Sequence, residues 1–505
     1  MTDERGRSGR PERRHPGRSG GGASQRSLQR PAERGRTGDP ARRAAYTLMR
    51  AVDDGGYANL ELPRILREQR VTGRDAAFAT ELAYGATRLR GRYDPMIAVA
   101  AGRELARVDR NVLDTLRLGA HQLLGMRVPA HAAVAETVAL ARQVNGAGAA
   151  GFVNAVLRRI GERSLDEWLD EVAPGSEEPL QRLAIRESHP LWVVKALRAA
   201  LLGHGAADPQ RADDELAALL AANNVPPSVS LVARPGLATV AELVAAGAGP
   251  GRWAPTAAEL PGGDPGAIAA IREGRAAVQD EGSQLLALAL AAAPLAGVAA
   301  QRDRERWLDL CAGPGGKAGL LAALAVQQDA DLVAGEVSEH RAELVRQTLR
   351  PALRAARPGQ LEVRVGDGRE VGDDEPAAYD RVLVDAPCTG LGALRRRPEA
   401  RWRRVPGDVP VLASLQRELL TSALAAVRPG GVVGYATCSP HLVETTFAVE
   451  DVLRKRPDVE IADAREALRG SASRPIPDLG DGPFVQLWPH RHGTDAMFLA
   501  VLRRL

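Results

Sequence analysis

The stretch LDLCAGPGGK at residues 308–317 decides the fold of this chain. Its apolar start predicts a buried strand, its glycines and proline predict a tight turn, and the run that follows predicts a helix. Gly313, Gly315 and Gly316 would let a ligand approach the main chain closely, while Pro314 would stiffen the turn. A strand that breaks into such a turn predicts a site for a nucleoside cofactor.

Strands and helices alternate from about residue 279 onward. Strands are predicted at residues 306–310, 331–337, 361–365, 381–385 and 431–437. Helical periodicity between and after them includes runs at 415–427 and 443–456. This alternation predicts an α/β fold with a mainly parallel sheet and helices on both faces.

Residues able to bind a nucleoside stand at the carboxyl ends of these strands, where doubly wound sheets bind ligands. They are Gly313, Glu336, Asp367, Asp385 and Cys438. Glu336 would accept hydrogen bonds from ribose hydroxyls, and Asp367 would bind the adenine amino group. Lys317 is one of three lysines in the chain, which favours a dedicated role at the start of the helix over the screening of a neighbouring carboxylate.

Two cofactors suit a glycine turn of this kind, a nicotinamide dinucleotide and S-adenosylmethionine. The turn reads PGGK rather than the spaced G-x-G-x-x-G of dinucleotide sites. No dehydrogenase-like catalytic pair follows it. The sequence therefore favours S-adenosylmethionine.

Two cysteines follow apolar strands, Cys388 in VLVDAPCTG (382–390) and Cys438 in VVGYATCSP (432–440). Methylation of carbon 5 of cytosine requires a thiolate that adds to carbon 6, because carbon 5 is otherwise a poor nucleophile. It also requires an acid that binds and polarises the ring, for which Asp385 is the candidate. These residue types predict covalent chemistry on a pyrimidine. Cys311 is either a buried filler or a lining residue of the cofactor turn.

The first part of the chain has a different pattern. Residues 41–162 are helical throughout, with apolar positions such as Leu48 and Leu116 at helical spacing and Asp109 placed as a helix cap. This pattern predicts a small helical bundle. Residues 188–274 mix a predicted capped helix at 188–197, a turn and strand at 223–232 and a Gly/Pro-rich stretch at 247–266, which indicates a connecting α+β subdomain.

Composition places the protein in a reducing compartment without a membrane. Three cysteines in 505 residues form neither a disulfide framework nor a zinc pattern, so we expect a cytoplasmic protein with no metal. The longest apolar run, 285–300, is interrupted by Pro294 and is too short to cross a bilayer. Residues 1–43 carry twelve arginines against five acids, although the whole chain has a net charge of only +4. We expect residues 1–40 to be a disordered tail that contacts phosphates or serves only to solubilise the chain.

The motifs resemble those of the Sun/RsmB-type ribosomal RNA cytosine-5 methyltransferases, which carry a NusB-like helical domain. The resemblance covers residues 41–505 and rests on four motifs: DLCAGPGGK, DAPCTGLGALRRRPEARW, YATCSP and HGTDAMFLAVLRR. It implies a NusB-like RNA-binding domain at 41–165, a connecting subdomain at 175–278 that also binds RNA, and a class I, Rossmann-like methyltransferase domain at 279–505.

The resemblance also implies residue roles. Cys438 would be the nucleophile, Cys388 would assist product release, and Asp385 would bind the base. The cofactor positions would be Cys311, Ala312, Gly313, Pro314, Gly315, Gly316, Lys317, Glu336, Asp367 and Asp385. Family members usually have alanine at position 313, threonine at 318 and aspartate at 336, where this chain has glycine, alanine and glutamate. These departures affect the fine geometry of the cofactor site.

The leading hypothesis is therefore methyl transfer from S-adenosylmethionine to carbon 5 of a cytosine in small-subunit (16S) ribosomal RNA, by a monomer. One alternative keeps the chemistry and changes the substrate to transfer RNA or another ribosomal site. A second is an RNA-binding assembly or antitermination factor with a vestigial methyltransferase domain, against which the intact pair of Cys388 and Cys438 argues. The run RRRPEARWRR at 395–404 suits RNA in each case, or else forms a solvated charged face.

Overall fold

The computed structural model describes residues 39–296 and 303–505. The arginine-rich tail predicted at 1–40 lies outside these residues except for Asp39 and Pro40. In the part that is described, no helix has both the length and the apolarity to cross a membrane.

The N-terminal region is a bundle of helices, as the periodicity predicts. Asp39 and Asp109 cap the first and fifth helices, because their carboxylates accept hydrogen bonds from main-chain N–H groups of the first turn. The predicted apolar faces, including Leu48 and Leu116, are buried between the helices. The helices are α1 Pro40–Asp53, α2 Ala58–Glu68, α3 Gly73–Arg88, α4 Arg90–Ala101, α5 Arg110–Leu124, α6 Ala130–Val144, α7 Ala147–Ile160 and α8 Leu165–Val172.

The connecting region is three helices followed by a small antiparallel sheet with strand order β2-β3-β1-β4. Its elements are α9 Pro179–Arg186, α10 Leu191–Gly203, α11 Ala212–Asn224, β1 Val229–Ala233, α12 Val240–Ala245, β2 Gly249–Pro250, β3 Ala257–Leu260, α13 Ala269–Arg272 and β4 Ala276–Val278. The helix predicted at 188–197 begins three residues later than expected. Ser188 does not cap it, because its buried hydroxyl instead donates to Arg88 O and accepts from Gly91 N in the bundle.

The C-terminal region alternates strands and helices around one sheet. Its elements are α14 Glu281–Ala292, β5 Arg306–Asp309, α15 Gly316–Gln327, β6 Asp331–Glu336, α16 Glu339–Ala355, β7 Leu361–Val365, α17 Val371–Asp374, β8 Tyr379–Asp385, α18 Ala400–Arg403, α19 Asp408–Ala426, β9 Val427–Thr437, α20 Thr446–Leu453, β10 Val459–Ala462, α21 Ala464–Ser471, β11 Val485–Gln486, α22 Pro489–His492 and β12 Phe498–Arg504. The predicted strands are confirmed, whereas the helix predicted at 443–456 is a 3₁₀ turn at Leu442–Glu444 followed by α20.

The sheet has the strand order β10-β12-β9-β8-β5-β6-β7, with β11 paired to β12. Strands β5 to β9 are parallel, and β12 lies antiparallel to β9. The chain runs from β5 outward to β7 and then returns to β8 on the other side of β5, so the strand order reverses beside β5. Ligands of doubly wound sheets bind at such a reversal. The fold is the predicted combination of a helical bundle, an α+β region and a Rossmann-like domain.

The regions are joined by the run RRRPEARWRR, which carries α18. Arg401 is fully buried, and its guanidinium donates to Arg88 O (3.1 Å), Ser188 O (3.2 Å), Asn224 Oδ1 (2.7 Å) and Asn223 O (2.5 Å). One side chain of the C-terminal region thus binds the bundle and the connecting helices together.

The neighbours of Arg401 extend this joint. Trp402 Nε1 donates to Thr87 O at 2.8 Å, and Arg403 Nη2 donates to Gly56 O at 2.6 Å. For Arg401, Trp402 and Arg403 both sequence interpretations, an RNA-binding surface and a solvated face, are therefore wrong. The guanidinium groups of Arg401 and Arg403 thus donate mainly to carbonyl groups of residues distant in the sequence, whereas Arg396 pairs with the Asp495 carboxylate.

We expect Arg401→Ala to lower the free energy of unfolding by about 3 kcal/mol, since it removes a charged donor and leaves buried acceptors unpaired. Urea unfolding followed by tryptophan fluorescence measures this. Arg454→Ala, which removes an arginine with a 71% exposed side chain, is the control and should change little. Equal urea midpoints for the two variants would contradict the structural role of Arg401.

Candidate functional site

The glycines of the turn between β5 and α15 have two different roles. Gly315 has φ +114° and precedes the first residue of α15. A Cβ at Gly315 would come within 2.9 Å of Thr348 on α16, so this glycine serves the turn and its packing rather than the approach of a ligand. Gly316 is exposed, and no atom lies within 4 Å of the position of its Cβ. The open face of the turn is at Gly316.

Glu336 stands at the tip of β6 with its carboxylate against the turn. One oxygen accepts from Gly313 N at 3.1 Å and the other from Ser338 N at 3.0 Å. Arg341 ion-pairs with Glu336 at 3.3 Å and donates to Gly313 O at 2.6 Å. A Cβ at Gly313 would lie 2.2 Å from Glu336 Oε2. The longer side chain of glutamate at position 336 therefore occupies the space that the absent side chain at position 313 leaves free.

Three charged groups meet between β5 and β8. Lys317 Nζ lies 2.8 Å from Asp385 Oδ2. Burial opposes the charge of Lys317, but the Asp385 carboxylate outweighs it and raises the pKa of Lys317. Asp309, at the end of β5, is 1% exposed, and neither of its carboxylate oxygens has a hydrogen-bond partner. Burial, followed by repulsion from Asp385, raises the pKa of Asp309 to about 7.

Asp367 follows β7 at the same edge of the sheet. Arg369 Nε lies 3.0 Å from both carboxylate oxygens of Asp367, and Arg369 Nη2 donates to Oδ2 at 2.5 Å. The main-chain N–H of Arg369 donates to Oδ1 at 3.0 Å. Arg369 lowers the pKa of Asp367. If Asp367 binds adenine as predicted, its carboxylate would accept hydrogen bonds from both adenine and Arg369.

The two predicted catalytic cysteines are in contact. Strands β8 and β9 are parallel neighbours in which Asp385 pairs with Ala436, so the loops that follow them lie side by side. Cys388 Sγ and Cys438 Sγ are 3.4 Å apart. Two thiols fifty residues apart in the sequence therefore form one site.

The surroundings make the two thiols unequal. The hydrogen bond from Cys388 lowers the pKa of Cys438 against the opposing effect of burial, with further help from Arg397 and Lys317. The same contact, together with burial and Glu444, raises the pKa of Cys388. These directions make Cys438 the more acidic of the two thiols and therefore the readier thiolate.

Glu444 holds the two cysteine loops together and was not among the residues that the sequence singled out. Its fully buried carboxylate accepts from Thr389 N (2.8 Å), Thr389 Oγ1 (2.5 Å), Ser439 Oγ (2.6 Å) and Gln416 Nε2 (3.2 Å). Thr389 adjoins Cys388, and Ser439 adjoins Cys438. Glu444 therefore fixes the separation of the thiols.

Arg404 supports the Cys388 loop from the other side. Its Nη2 donates to Cys388 O at 3.4 Å and its Nε to Thr389 O at 3.3 Å. Cys311, by contrast, takes no part in the thiol pair: it packs against the core beside β5, and burial raises its pKa. This favours the interpretation of Cys311 as a filler of the core.

The sequence carried weak signals for the residues that it missed. Asp309 begins the motif DLCAGPGGK, and an acid at a strand end before a glycine turn is a ligand candidate by position. Glu444 follows Cys438 by six residues, but nothing local indicates that it turns back into the core. Only the fold places it between the loops.

The side chains of the site are suited to S-adenosylmethionine. The orphaned, buried carboxylate of Asp309 fits a cationic group, such as the amino group of the methionine part. Glu336 Oε1, which accepts only from Ser338 N, retains a lone pair and would accept from a ribose hydroxyl. Gly316 leaves the turn open for the ligand.

Comparison with known proteins agrees with the fold. Residues 296–503 match the family model described as 16S rRNA methyltransferase RsmB/F, and residues 39–162 match the NusB family. A Mycobacterium tuberculosis (strain H37Rv) protein, named as a methyltransferase with no substrate in its name, is 53% identical over 92% of this chain and 97% of its own length. The ribosomal RNA small subunit methyltransferase B of Escherichia coli (strain 536) is 30% identical over 87% of this chain and 96% of its own.

Among solved structures, the one titled PH0851 is similar in fold. It covers 92% of this chain and 99% of its own, with a TM-score of 0.74 and 22% identity. At that identity the likeness concerns the fold alone.

We expect Gly313→Ala to weaken the binding of S-adenosylhomocysteine at least about tenfold, or 1.4 kcal/mol, because its Cβ displaces the Glu336 carboxylate. Glu336→Asp in the same chain makes room for that Cβ, so the double variant should bind better than the sum of the single effects allows. Calorimetry on the four chains of the cycle measures the coupling, with Gly470→Ala as a control in open space. Additive effects would show that residues 313 and 336 act independently.

Proposed function

Because the chain belongs to the RsmB/F family of S-adenosylmethionine-dependent ribosomal RNA methyltransferases, we propose that it methylates carbon 5 of a cytosine in small-subunit (16S) ribosomal RNA through a covalent bond to Cys438. The observation that carries this proposal is the contact of Cys388 and Cys438 at 3.4 Å beside the ion pair of Lys317 and Asp385. A thiol pair and a carboxylate are the groups that addition to a pyrimidine ring requires.

Cys438 acts first in this proposal. Its lowered pKa increases the fraction present as thiolate, and the thiolate adds to carbon 6 of the cytosine. The new sulfur–carbon bond turns the double bond between carbon 5 and carbon 6 into a single bond, and its electron pair moves to carbon 5, which becomes the nucleophilic carbon of an enamine. Bound S-adenosylmethionine would supply the methyl group that carbon 5 accepts.

Asp385 and Lys317 orient the base. As a carboxylate, Asp385 at the end of β8 can accept a hydrogen bond from the exocyclic amine of cytosine, and after taking up a proton from solvent it can also donate one to the ring nitrogen. Lys317 holds Asp385 in place at 2.8 Å and keeps a positive charge beside the ring as electron density moves into it.

Cys388 completes the cycle. Its thiol lies in contact with Cys438, and after it has released its own proton to solvent the Cys388 thiolate, whose raised pKa makes it the stronger base, accepts the carbon-5 proton. Removal of the carbon-5 proton restores the double bond and expels the Cys438 thiolate, which frees the product. Without a base at this position the covalent adduct persists.

The choice of ribosomal RNA rests on the family and on the names of the relatives. Bisulfite sequencing of ribosomal and transfer RNA from cells with and without the gene tests it. Loss of one methylated cytosine in the small-subunit RNA is the expected result. If the only methylated site that disappears lies in transfer RNA, the substrate is transfer RNA and the proposed chemistry still holds.

We expect the two cysteine variants to fail in different ways. Cys438→Ala should abolish both turnover and the covalent adduct, because carbon 5 never becomes nucleophilic. Cys388→Ala should form the adduct and accumulate it, which gives a shifted band on a denaturing gel. Adduct formation should be fastest on RNA in which the target base is unpaired or easily opened.

Calorimetry with S-adenosylhomocysteine is the control for this pair, since both variants should retain the cofactor site. An adduct trapped by Cys438→Ala and absent from Cys388→Ala would reverse the roles of the two thiols.

Alkylation by iodoacetamide tests the difference in pKa between the two thiols. Mass spectrometry follows the reaction at Cys438 as a function of pH. A lowered pKa means that Cys438 forms its thiolate at a lower pH than an ordinary thiol, so its alkylation should begin at a lower pH than that of a free cysteine. Cys388→Ala removes the hydrogen-bond donor and should move the pH midpoint of alkylation upward. Cys388→Ser, which keeps an O–H donor, should move it less. An unchanged midpoint in Cys388→Ala would mean that Cys388 does not activate Cys438.

A further inference from the structure

The end of α10 in the connecting region packs against the loop that carries Cys438. Gly203 is the last residue of this helix, and a Cβ there would lie 2.6 Å from Leu442 Cδ1. Leu442 begins the 3₁₀ turn that follows Cys438 in the chain. The missing side chain at 203 thus brings the connecting region into direct contact with the segment after the candidate nucleophile.

The imidazole of His204, the residue after α10, is bonded to this loop. Its Nε2 lies 3.0 Å from Pro440 O and 3.3 Å from Thr445 Oγ1. Burial lowers the pKa of His204 to about 4, although the bond to Pro440 opposes this, so the ring is neutral near pH 7 and has one N–H. Because a carbonyl oxygen can only accept, that N–H is at Nε2 and is donated to Pro440 O.

The carbonyl group of Pro440 depends on this imidazole for its hydrogen bond. Pro440 is buried and stands two residues after Cys438, where the chain has left β9. In the part of the chain that the structure describes, no second donor to Pro440 O is found. Since a buried carbonyl without a partner is unfavourable, the bond from His204 favours one conformation of the loop.

Aromatic side chains fix the direction in which His204 points. The centroid of its ring lies 5.7 Å from that of Phe498 and 6.1 Å from that of Trp488. Phe498 on β12 is the strand partner of Thr437, the residue before Cys438. His204 therefore contacts both the segment after Cys438 and the strand that pairs with the residue before it.

Glu444 and His204 hold the same loop from different regions of the molecule. Glu444 accepts from Ser439 Oγ and from Thr389 N, which joins the Cys438 loop to the Cys388 loop. His204 joins the Cys438 loop to the connecting region through Pro440 O. The loop is thus held at two successive residues, Ser439 and Pro440, immediately after the candidate nucleophile.

We propose that His204 is a positioning residue for Cys438, and that its hydrogen bond to Pro440 O lets the connecting region hold the thiol where the target base is attacked. The inference rests on the proposed function for the role of Cys438 as the nucleophile. It requires no contact of His204 with the base or the cofactor, because His204 acts through the loop. Displacement of a reacting group by about 1 Å can reduce a rate about a hundredfold, so a single bond to the loop can matter for turnover.

The test compares three replacements of His204 in a Cys388→Ala background, in which the covalent adduct should accumulate. His204→Phe keeps the ring packing and removes the donor, His204→Gln keeps an amide N–H near the position of Nε2, and the shorter side chain of His204→Asn does not reach it. Denaturing gels follow adduct formation by the full chain with S-adenosylmethionine and saturating ribosomal RNA. We expect His204→Phe and His204→Asn to slow it by roughly tenfold to a hundredfold, and His204→Gln to recover most of the rate. His131→Phe, at an exposed position of the bundle, is the matched control and should keep the parental rate.

Alkylation of Cys438 by iodoacetamide gives a second measurement that needs no RNA. With Cys388 present, His204→Phe should move the pH midpoint upward, by less than Cys388→Ala does, because the contact between the thiols is looser. Calorimetry with S-adenosylhomocysteine verifies that each variant is folded, and His204→Asn takes the place of His204→Phe if the latter does not bind.

Parental adduct rates and midpoints in His204→Phe and His204→Asn would overturn the positioning role, and so would a His204→Gln variant as slow as His204→Phe. A shifted midpoint in a chain that forms no adduct with any RNA would instead support the role of His204 and refute the proposed function.

Discussion

The carboxylate of Glu444 is the constraint on which the thiol site depends. It is fully buried, and four donors from two loops and from α19 surround it. Hydrogen bonds to a charged acceptor contribute roughly 1.5–3 kcal/mol each, which offsets the cost of removing the carboxylate from water. Because its donors adjoin Cys388 and Cys438, the bonds that satisfy Glu444 also set the distance between the sulfur atoms.

Much of this arrangement could be predicted from the sequence, since parallel strands end at one edge of a sheet. The apolar strands before Asp385 and Cys438 sufficed to place those residues near the glycine turn. The same reasoning predicted the bundle from helical spacing and the cap at Asp109. What the pattern could not give was the side-chain geometry within the edge, such as the proton shared by the two thiols or the orphaned carboxylate of Asp309.

Features that depend on contacts between distant segments could not be predicted from the sequence. Glycine at 313 and glutamate at 336 each look like a small departure from the family pattern, yet the structure makes them complementary, because one supplies the volume that the other fills. The run at 395–404 has the composition of an RNA-binding surface, but Arg401 is buried among carbonyl groups. Charge alone does not distinguish a solvated arginine from one that meets main-chain acceptors.

The joint formed by α18 has a consequence for how the sequence can diverge. Arg401, Trp402 and Arg403 bind the bundle and the connecting helices chiefly through main-chain carbonyls, which every residue type presents. Residues on the accepting side can therefore change identity without loss of the contact, whereas the three donors cannot. The contacts that this short helix makes with the other two regions are thus encoded mainly on its own side, next to the residue that supports Cys388.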